Sequence, residues 1–344
     1  MSMVTVLMTV FNGERYLHET ITSVLNQTFT DFTFLVIDNA STDNSLKIVH
    51  SFNDQRLKLE ALPENIGQVP ALNKGLDMIT TPYIARIDAD DICLPQRLEK
   101  QVAFMENNVQ VGICGTYAMA FKGKQEIAIR FPLHTADIKV KLLFECCLGH
   151  PSVMMRKELL DRYQLRYNEQ LGHSEDWELW QRAANCFDLA NIPEFLLRYR
   201  LHAGAESHKV IDRQKEAATK LDAESLKHLK LQNHPLRTIH RDVATETFNA
   251  RNREPQLIHD VEKWFELLKE ANQNYQIYAP EALQRFLKER LFIVLTNNTG
   301  HWRTALTAFH KHKLGQVVPV TWTVKFYLKI LWAILTAPKT PPSL

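Results

Sequence analysis

Several features that mark other protein classes are missing from this sequence. Its five cysteines form no CxxC pair and no His/Cys ligand spacing, and an odd number suits a reducing compartment better than a disulfide framework. No apolar run reaches the roughly 18 residues of a membrane-spanning helix. The first residues, MSMVTVLMTVFN, lack the basic stretch and the small-residue cleavage site of a signal peptide. These absences favour a cytoplasmic protein.

Glycine-rich phosphate-binding motifs are also missing. No GxGxxG follows the first strand-like run and no GxxxxGK[ST] occurs anywhere, which argues against a dinucleotide-binding dehydrogenase and against a P-loop NTPase. The 344 residues, 45% of them hydrophobic, suffice for one large domain or two smaller ones. Residues 1–207 carry 20 Lys and Arg against 26 Asp and Glu, whereas residues 208–344 carry 21 against 13. We therefore expect the two parts to have different roles.

Short β runs alternate with helical patterns over the first part of the chain. The predicted strands are 3–11, 31–39, LKLEALP and YIARID, and the predicted helices are 13–28, 43–52 and GQVPALNKGLDMI. Strands that alternate with helices at this spacing predict parallel βαβ units in an α/β sheet. In such a sheet ligands bind beyond the carboxyl ends of the strands, where TVFNGE, VIDNASTDNS and RIDADD collect polar groups.

Three carboxylates, Asp88, Asp90 and Asp91, follow the strand pattern of YIARI within four positions. Carboxylates this close repel one another unless a cation or hydrogen-bond donors neutralise them. The D-x-D spacing puts Asp88 and Asp90 on the same side of an extended backbone, where both can face one Mg²⁺ or Mn²⁺ ion. The alternative is an acidic turn that caps the next helix, with Pro95 in its first turn.

Four segments extend this pattern: VLMTVFNGERYLHETITSVLNQTF, VIDNASTDNS, PENIGQVPALNKGL and RIDADD. In this order and spacing they resemble the nucleotide-sugar-binding half of inverting family 2 glycosyltransferases, and the resemblance continues through SEDWELWQRA and RYRLHAGAES, covering about residues 3–207. It implies a GT-A (Rossmann-like) fold with a mixed, mainly parallel sheet flanked by helices. A donor-binding half (about 1–115) and an acceptor half (about 116–207) are expected to precede a mostly α-helical region, 208–344.

The resemblance also implies roles for individual residues. Those expected to bind the nucleotide-sugar donor are Thr9, Phe11, Glu14, Asp38, Ser41, Asn65, Asn73, Asp88, Arg198 and Arg200, with Asp43, Gly67 and Gly75 shaping the same loops. Asp38 is expected to accept a hydrogen bond from N3 of the base. Asp90, Asp88 and His202 are expected to hold Mn²⁺ or Mg²⁺. Asp176 is similar to the family's general base, with Glu175 beside it, and His150 and Trp177 are expected on the acceptor side.

Each of these residues has a plainer interpretation. Asp38, Ser41 and Asp43 suit a turn with a helix N-cap, Glu175 and Asp176 suit a helix start after Ser174, and His202 suits a packed or surface histidine. The chain also departs from the family, with Asn-Ala after Asp38 and with Leu72 where arginine is common. LWQRAANC stands in place of the Q-x-x-R-W motif of processive members. Transfer of a single sugar is therefore expected, rather than polymer synthesis.

The part of the chain after residue 208 is helical and polar by pattern, and from Arg290 to Leu344 it carries seven Lys and Arg but no Asp or Glu. Its segment VTWTVKFYLKILWAIL (320–335) is too short and too charged to span a membrane. It suits a membrane surface, where lysines meet anionic headgroups and aromatic rings enter the boundary. The alternative is a helix docked on the catalytic domain or in a dimer. No nucleic-acid-binding motif occurs.

The sequence thus predicts a metal-dependent inverting glycosyltransferase that moves one sugar from a nucleotide-diphosphate sugar, with UDP the expected nucleotide. The expected acceptor is a saccharide or a lipid-linked saccharide in cell-surface polysaccharide or lipopolysaccharide assembly. We expect the protein in the cytoplasm, peripherally at the inner face of the cytoplasmic membrane. The alternatives are a sugar nucleotidyltransferase, for which TVFNGERY is a poor loop, and a nucleotide-sugar-binding partner without turnover.

Overall fold

Four of the β runs form neighbouring parallel strands in the computed structural model: β1 (Val4–Val10), β2 (Phe32–Asp38), β3 (Leu57–Ala61) and β4 (Tyr83–Arg86). Their order in the sheet is β3, β2, β1, β4. The register pairs Val10 with Asp38 and Asp38 with Ala61, while Arg86 pairs with Leu7. The loops after β1, β2 and β3 therefore leave the sheet at one edge, and the loop after β4 follows beside them.

The described residues are 2–171, 174–202, 211–245, 255–297 and 302–336, so the last part of the RYRLHAGAES segment, residues 203–207, lies outside them. The chain divides into two units. The first comprises Met1–Leu142 and Cys146–Ala218, and the second comprises Leu143–Glu145 and Thr219–Leu344. The second unit thus includes three residues that come from within the stretch predicted as the acceptor half. The boundary expected near residue 207 remains a prediction.

The remaining strands of the first unit complete a nine-stranded mixed sheet over the described residues. They are β5 (Ile92–Cys93), β6 (Val111–Lys122), β7 (Gln125–Ile129), β8 (Met154–Arg156) and β9 (Asp188–Arg200). Beyond β4 the order is β8, β6, β9, β5, with β7 paired to β6. Here the β6 and β9 pair is parallel, whereas β8, β7 and β5 pair antiparallel to their neighbours. The expected mixed sheet is confirmed, with its parallel strands concentrated in the donor-binding half.

Seven helices among the described residues of the first unit flank this sheet. They are α1 (Leu17–Leu25), α2 (Ser45–His50), α3 (Gln68–Met78), α4 (Arg97–Asn107), α5 (Thr135–Leu142), α6 (Lys157–Arg162) and α7 (Glu175–Ala183). Helix α1 presents Leu17, Ile21 and Val24 to a core that includes Val6 and Met8 of β1. This spacing is the apolar stripe that lets a helix cover one face of a sheet. The helix is shorter than the predicted 13–28, because residues 14–16 form a turn before it and it ends at Leu25.

The second unit is helical, as the sequence predicts. Its helices are α8 (Ile211–Lys227, whose first residues belong to the first unit), α9 (Arg237–Thr245), α10 (Pro255–Tyr275), α11 (Pro280–Asn297), α12 (Trp302–Lys311) and α13 (Val320–Thr336). Its interior includes His240, whose Nε2 lies 2.9 Å from the carbonyl oxygen of Leu143 and whose Nδ1 lies 3.2 Å from Nε1 of Trp264. None of the described helices is both long enough and apolar enough to cross a membrane.

Candidate active site

The acidic turn after β4 brings three carboxyl groups together. One oxygen each of Asp88, Asp90 and Asp91 lies within 4.8 Å of the others. Helix α1 fixes the backbone of this turn, because the hydroxyl of Thr20 lies within hydrogen-bond distance of the carbonyl oxygens of Ala89 (3.0 Å) and Asp91 (2.8 Å). Oxygen ligands at this spacing have the chemistry that Mg²⁺ and Mn²⁺ prefer. The residues present therefore fit a divalent cation.

Asp90 and His202, which are distant in the sequence, meet at this turn. Nε2 of His202 lies 2.7 Å from Oδ2 of Asp90, and the imidazole ring packs against the ring of Tyr16, with 4.9 Å between the centroids. The sequence paired His202 with the metal site, and the structure brings it to the same carboxylate. Tyr16 was not among the predicted residues. Tyr16 lies in the turn between β1 and α1, and this turn places its ring beside His202.

Asp91 is the buried member of the acidic turn. Its Oδ1 accepts the backbone N–H of Arg200 at 2.9 Å, while its Oδ2 is buried without a hydrogen-bond partner among the described residues. Burial, together with the charges of Asp88 and Asp90, raises the pKa of the Asp91 carboxyl well above its usual range. A buried oxygen without a partner is costly unless something neutralises it, and a cation held by the cluster would supply that neutralisation.

The two arginines of β9 have acidic partners. The Arg200 guanidinium donates to the carbonyl oxygen of Asp90 at 2.7 Å and to Glu19 at 2.6 Å, and it lies over the ring of Tyr16. Arg198 donates to Glu126 at 2.9 Å. Arg200, on β9, therefore helps to fix the backbone of the acidic turn. The role of both arginines in donor binding remains a prediction.

Arg86 is a site residue that the sequence reasoning missed. It ends β4 with a side chain only 2% exposed, and its Nη2 forms an ion pair with Oδ1 of Asp88. Its Nε and Nη1 are buried without hydrogen-bond partners among the described residues. Burial acts to lower the pKa of Arg86, but the charge and the hydrogen bond of Asp88, with smaller contributions from Tyr167 and Glu175, together outweigh burial and raise that pKa. An arginine inside the apolar run YIARI was the available signal, because a charge in a buried strand requires a partner.

The loops after β1 and β2 are fastened to each other by hydrogen bonds. The backbone N–H of Glu14 donates to Asp43 at 3.0 Å, and Oε2 of Glu14 accepts the backbone N–H of Asn44 at 2.9 Å. The hydroxyl of Ser41 accepts the N–H of Asn12 at 3.0 Å. The sequence placed Glu14, Ser41 and Asp43 at the donor site, and the structure uses all three to fix the shape of these loops.

Asp38 is the last residue of β2, and one of its two carboxylate oxygens accepts a hydrogen bond. Its Oδ2 accepts the N–H of Ser41 at 3.0 Å, which is the turn that the plainer interpretation expected. Its Oδ1 is buried without a partner among the described residues, although the residue is only 1% exposed. On the neighbouring strand β1, Val10 pairs with Asp38; Phe11 directly follows Val10 and is half exposed, and Thr9 is partly buried. The turn and a ligand contact are compatible, because they use different oxygens.

The loop before α3 has a structural explanation for most of its predicted residues. Oδ1 of Asn65 accepts the N–H of Gly67 at 2.9 Å, and Gly67 has φ of 90°, a conformation that favours glycine. The Asn73 side chain bonds the backbone N–H and C=O of Tyr167, both at 2.9 Å. A Cβ on Gly75 would lie 2.5 Å from Leu7 Cδ1, so glycine here permits α3 to pack on β1. Donor contacts by Asn65 and Asn73 remain predictions.

Glu175 and Asp176 begin α7, preceded by Ser174 in a left-handed conformation. Burial raises the pKa of both carboxyls, and the charge of Asp176 helps to raise that of Glu175 to about 7. Oδ1 of Asp176 accepts the N–H of Trp177 at 2.7 Å, and its Oδ2 lies 3.5 Å from Sγ of Cys146. A carboxyl with a pKa near neutrality is well suited to exchange protons with a substrate. The helix-start interpretation and the catalytic one are therefore compatible.

His150 and Trp177 are both buried beside these carboxyls. Nδ1 of His150 lies 3.9 Å from Oε1 of Glu175, and its Nε2 lies 2.8 Å from the hydroxyl of Tyr167. Burial and the charge of Arg86 hold the pKa of His150 well below its usual range, so the imidazole is neutral. The indole N–H of Trp177 donates to the carbonyl oxygen of Leu142 at 2.9 Å, which anchors α7. The acceptor-side role of either residue remains a prediction.

Sequence comparisons give the same family as the motifs. Residues 5–164 match the family described as glycosyl transferase family 2. The O-antigen biosynthesis glycosyltransferase WbnJ of Escherichia coli is 33% identical over 212 residues, which are 59% of this chain and 81% of that protein. The UDP-Glc:alpha-D-GlcNAc-diphosphoundecaprenol beta-1,3-glucosyltransferase WfgD of the same species is 30% identical over 178 residues, which are 52% of this chain and 68% of that protein.

Solved structures share the fold at low sequence identity. S. aureus TarS 1-349 in complex with UDP-GlcNAc aligns with a TM-score of 0.56 and 16% identity, covering 86% of this chain and 91% of that one. The mannosyltransferase PcManGT from Pyrobaculum calidifontis, in complex with GDP-Man and Mn²⁺, aligns with a TM-score of 0.54 and 15% identity, covering 96% and 87%. With the motifs, the acidic turn and the identity to WbnJ, the chain belongs to glycosyl transferase family 2.

Proposed function

We propose that this protein is an inverting, divalent-metal-dependent glycosyltransferase. It moves a single sugar from a nucleotide-diphosphate sugar, in the first instance a UDP-sugar, to a saccharide or lipid-linked saccharide acceptor. The observation that carries the proposal is the cluster of Asp88, Asp90 and Asp91 at the carboxyl edge of parallel strands. Buried Arg86 forms an ion pair with Asp88, and its positive charge also acts to lower the pKa of the Asp176 carboxyl.

The donor base has a candidate partner in Asp38. Its unpartnered Oδ1 can accept the N3–H of uracil, and the exposed ring of Phe11 follows the same edge of the sheet. A buried acceptor that gains a donor on binding recovers the cost of its desolvation. UDP-sugars in the names of WfgD and of the TarS complex support UDP as the first nucleotide to test. The GDP-Man complex of PcManGT makes GDP the second.

Asp90, Asp88 and His202 are the proposed ligands of Mn²⁺ or Mg²⁺, and Asp91 lies within reach of the same position. A bound cation supplies Lewis-acid stabilisation of the charge that develops on the departing diphosphate. Mn²⁺ in the PcManGT complex supports this choice of metal. Within the chain itself, Arg200 and Thr20 fix the backbone of the turn, so the carboxylates are held in place before the donor arrives.

Asp176 is the proposed general base, with Glu175 beside it. The acceptor hydroxyl transfers its proton to a carboxylate oxygen of Asp176 as the oxygen attacks the anomeric carbon from the face opposite the diphosphate. A single displacement of this kind inverts the anomeric configuration and requires no second nucleophilic carboxylate. The neutral His150, 3.9 Å from Glu175, is the proposed acceptor-side contact, and Tyr167 orients its ring.

We assign the reaction to cell-surface polysaccharide or lipopolysaccharide assembly, in the cytoplasm and peripherally at the inner face of the membrane. The name of WbnJ, an O-antigen biosynthesis enzyme, supports the polysaccharide. The diphosphoundecaprenol acceptor in the name of WfgD supports a lipid-linked saccharide.

The test begins with a thermal-shift screen of UDP-, GDP- and dTDP-sugars with and without Mn²⁺. A ligand at a hundredfold excess over its Kd stabilises the folded state by about 2.7 kcal/mol. The nucleotide that stabilises most is then assayed for transfer with wild type, Asp176→Asn and the exposed control Asp31→Asn. We expect Asp176→Asn to bind the nucleotide and the metal but to lose sugar transfer. Asp31→Asn should keep both the binding and the transfer.

The alternatives give different results in the same experiment. Turnover that persists in Asp176→Asn refutes the assigned base. Release of pyrophosphate from a nucleoside triphosphate and a sugar phosphate indicates a nucleotidyltransferase. Binding of nucleotide sugar without transfer to any acceptor, and without release of nucleoside diphosphate, indicates a binding partner.

A further inference from the structure

Helix α13 (Val320–Thr336) has one face in the helical unit and one face toward solvent. Phe326 is fully buried and Ile330 is 3% exposed, and the ring of Phe326 stacks on Phe309 of α12 with 4.7 Å between centroids. Phe292 of α11 packs against the same ring, 5.8 Å away. The helix is therefore fixed to its own unit by an aromatic contact, which settles which of its faces points outward.

The outward face is apolar along its length. Val324, Leu328 and Leu331 are 52%, 60% and 52% exposed, and Val320 before them is 77% exposed. Their spacing of four, four and three positions puts them in one row on a helix. Solvent-exposed apolar residues that occur singly are ordinary, but a continuous row of them on one helix marks an interaction surface.

Charge and aromatic residues flank this row. Lys325 and Lys329 are exposed and lie one turn apart on one side of it, and Nζ of Lys329 also donates to the carbonyl oxygen of Thr296 at 3.4 Å. Trp322 and Tyr327 are exposed at 43% and 39%. The sequence from 291 to 344 contains no Asp or Glu, so this part of the chain offers no negative charge of its own. Basic and aromatic residues beside an apolar row are the composition of helices that lie in a membrane interface.

We propose that the outward face of α13 docks on an anionic lipid surface, with Val320, Val324, Leu328 and Leu331 entering the acyl boundary and Lys325 and Lys329 contacting headgroup phosphates. A second copy of the chain fits less well, because face-to-face packing brings the lysines of both copies to one interface. This face is the membrane contact for the localisation proposed above. Because the contact involves lipid binding alone, a test of lipid binding does not depend on the transfer reaction.

The experiment is flotation of the full chain with phosphatidylcholine vesicles made with and without phosphatidylglycerol, in the absence of any sugar nucleotide. Each leucine that leaves water for lipid favours binding by on the order of tenfold. We therefore expect Leu328→Glu with Leu331→Glu to lower the partition coefficient by at least about tenfold. The matched control, Val109→Glu with Ile127→Glu, adds the same charge at exposed apolar residues of the first unit and should bind like wild type.

The lysines are tested separately. Lys325→Gln with Lys329→Gln should weaken binding to phosphatidylglycerol vesicles by on the order of fivefold per lysine at low salt, and less at high salt. The same pair should leave binding to pure phosphatidylcholine unchanged. If Leu328→Glu with Leu331→Glu lowers the melting temperature, the Ser versions at both positions replace it, since they remove apolar surface without adding charge.

Three results overturn the proposal. Wild type does not float with either vesicle, or the glutamate and serine variants float as well as wild type. Alternatively, light scattering shows a wild-type dimer that Leu328→Glu with Leu331→Glu dissociates, which assigns this face to a second copy of the chain. Transfer to a soluble acceptor, measured on the same variants, should stay at the wild-type rate whichever result is obtained.

Discussion

Asp38 gives a prediction in which the change alters nucleotide choice rather than fold. In wild type, the N–H of Ser41 donates to Oδ2 of Asp38 at 3.0 Å, and the side-chain carbonyl of Asp38→Asn can keep this hydrogen bond. The NH₂ group of the variant then takes the place of Oδ1, which is buried without a partner among the described residues. That NH₂ then faces the N3–H of uracil, so two donors oppose each other. Loss of a hydrogen bond with a charged partner costs about 1.5–3 kcal/mol, or roughly 10- to 150-fold in Kd.

Cytosine tests whether Asp38 contacts N3 of the base, because N3 of cytosine carries no hydrogen and accepts a hydrogen bond. The NH₂ group that Asp38→Asn introduces can donate to this N3. We expect the Kd for UDP to rise and the Kd for CDP to fall in Asp38→Asn, measured by isothermal titration calorimetry with Mn²⁺ present. The melting temperature without nucleotide serves as the check on folding. An unchanged ratio of UDP to CDP affinity in a folded variant refutes the assignment of Asp38 to the base.

Three further predictions concern stability and pH. Gly75→Ala places a methyl against the Leu7 side chain, and because the helix propensity of alanine offsets part of this clash, the free energy of unfolding should fall by about 0.5–2 kcal/mol in urea melts. Arg86→Met leaves Asp88 without its cation and should cost about 2–3 kcal/mol, below the usual cost for a fully buried pair because Asp88 is 30% exposed. The raised pKa of Glu175, about 7 against 4.5, means that the folded state keeps a proton that the unfolded state loses. The contribution of Glu175 to stability should therefore fall by on the order of 3 kcal/mol as pH rises from 4.5 to 7, and Glu175→Gln should remove that part of the pH dependence while the parts from Asp91 and Asp176 stay.

Each of these has a matched comparison. Lys74→Met breaks an exposed ion pair with Glu60 and should change stability by no more than about 1 kcal/mol. If it costs as much as Arg86→Met, burial is not what makes the Arg86 pair important. A Gly75→Ala variant as stable as wild type means that α3 shifts to make room. A parallel pH dependence of wild type and Glu175→Gln removes Glu175 as the titrating group.

The sequence predicted the elements that build the donor edge because their signals are local. The run YIARID combined a buried strand with acidic residues at its end, and the structure places Asp88, Asp90 and Asp91 together there. The part of the chain after residue 208 was predicted to be helical, and its segment PEALQRFLKERLFIVLTN forms α11. In both cases the periodicity of apolar residues and the flanking turn residues specify the structure without help from distant parts of the chain.

What the sequence did not predict depends on partners far along the chain. The contact of the Asn73 amide with the backbone of Tyr167, 94 residues later, was not predicted. Nor was the contact of the Arg200 guanidinium with Glu19 and with the turn at Asp90, and the donor-binding roles of Asn73 and Arg200 remain predictions. The inclusion of Leu143–Glu145 in the helical unit follows from tertiary packing, including the bond from Leu143 to His240. No spacing rule reveals such pairs, because either partner alone looks like an ordinary polar residue.

The most direct test of the account is the effect of Mn²⁺ on UDP affinity in wild type and in Asp90→Asn, measured by calorimetry. If a divalent cation held by the acidic turn meets the diphosphate, Mn²⁺ tightens UDP binding in wild type, and Asp90→Asn loses most of that gain while its affinity without metal stays close to that of wild type. Equal tightening in both proteins, or none in wild type, contradicts the claim that this turn holds the metal of a nucleotide-sugar transferase.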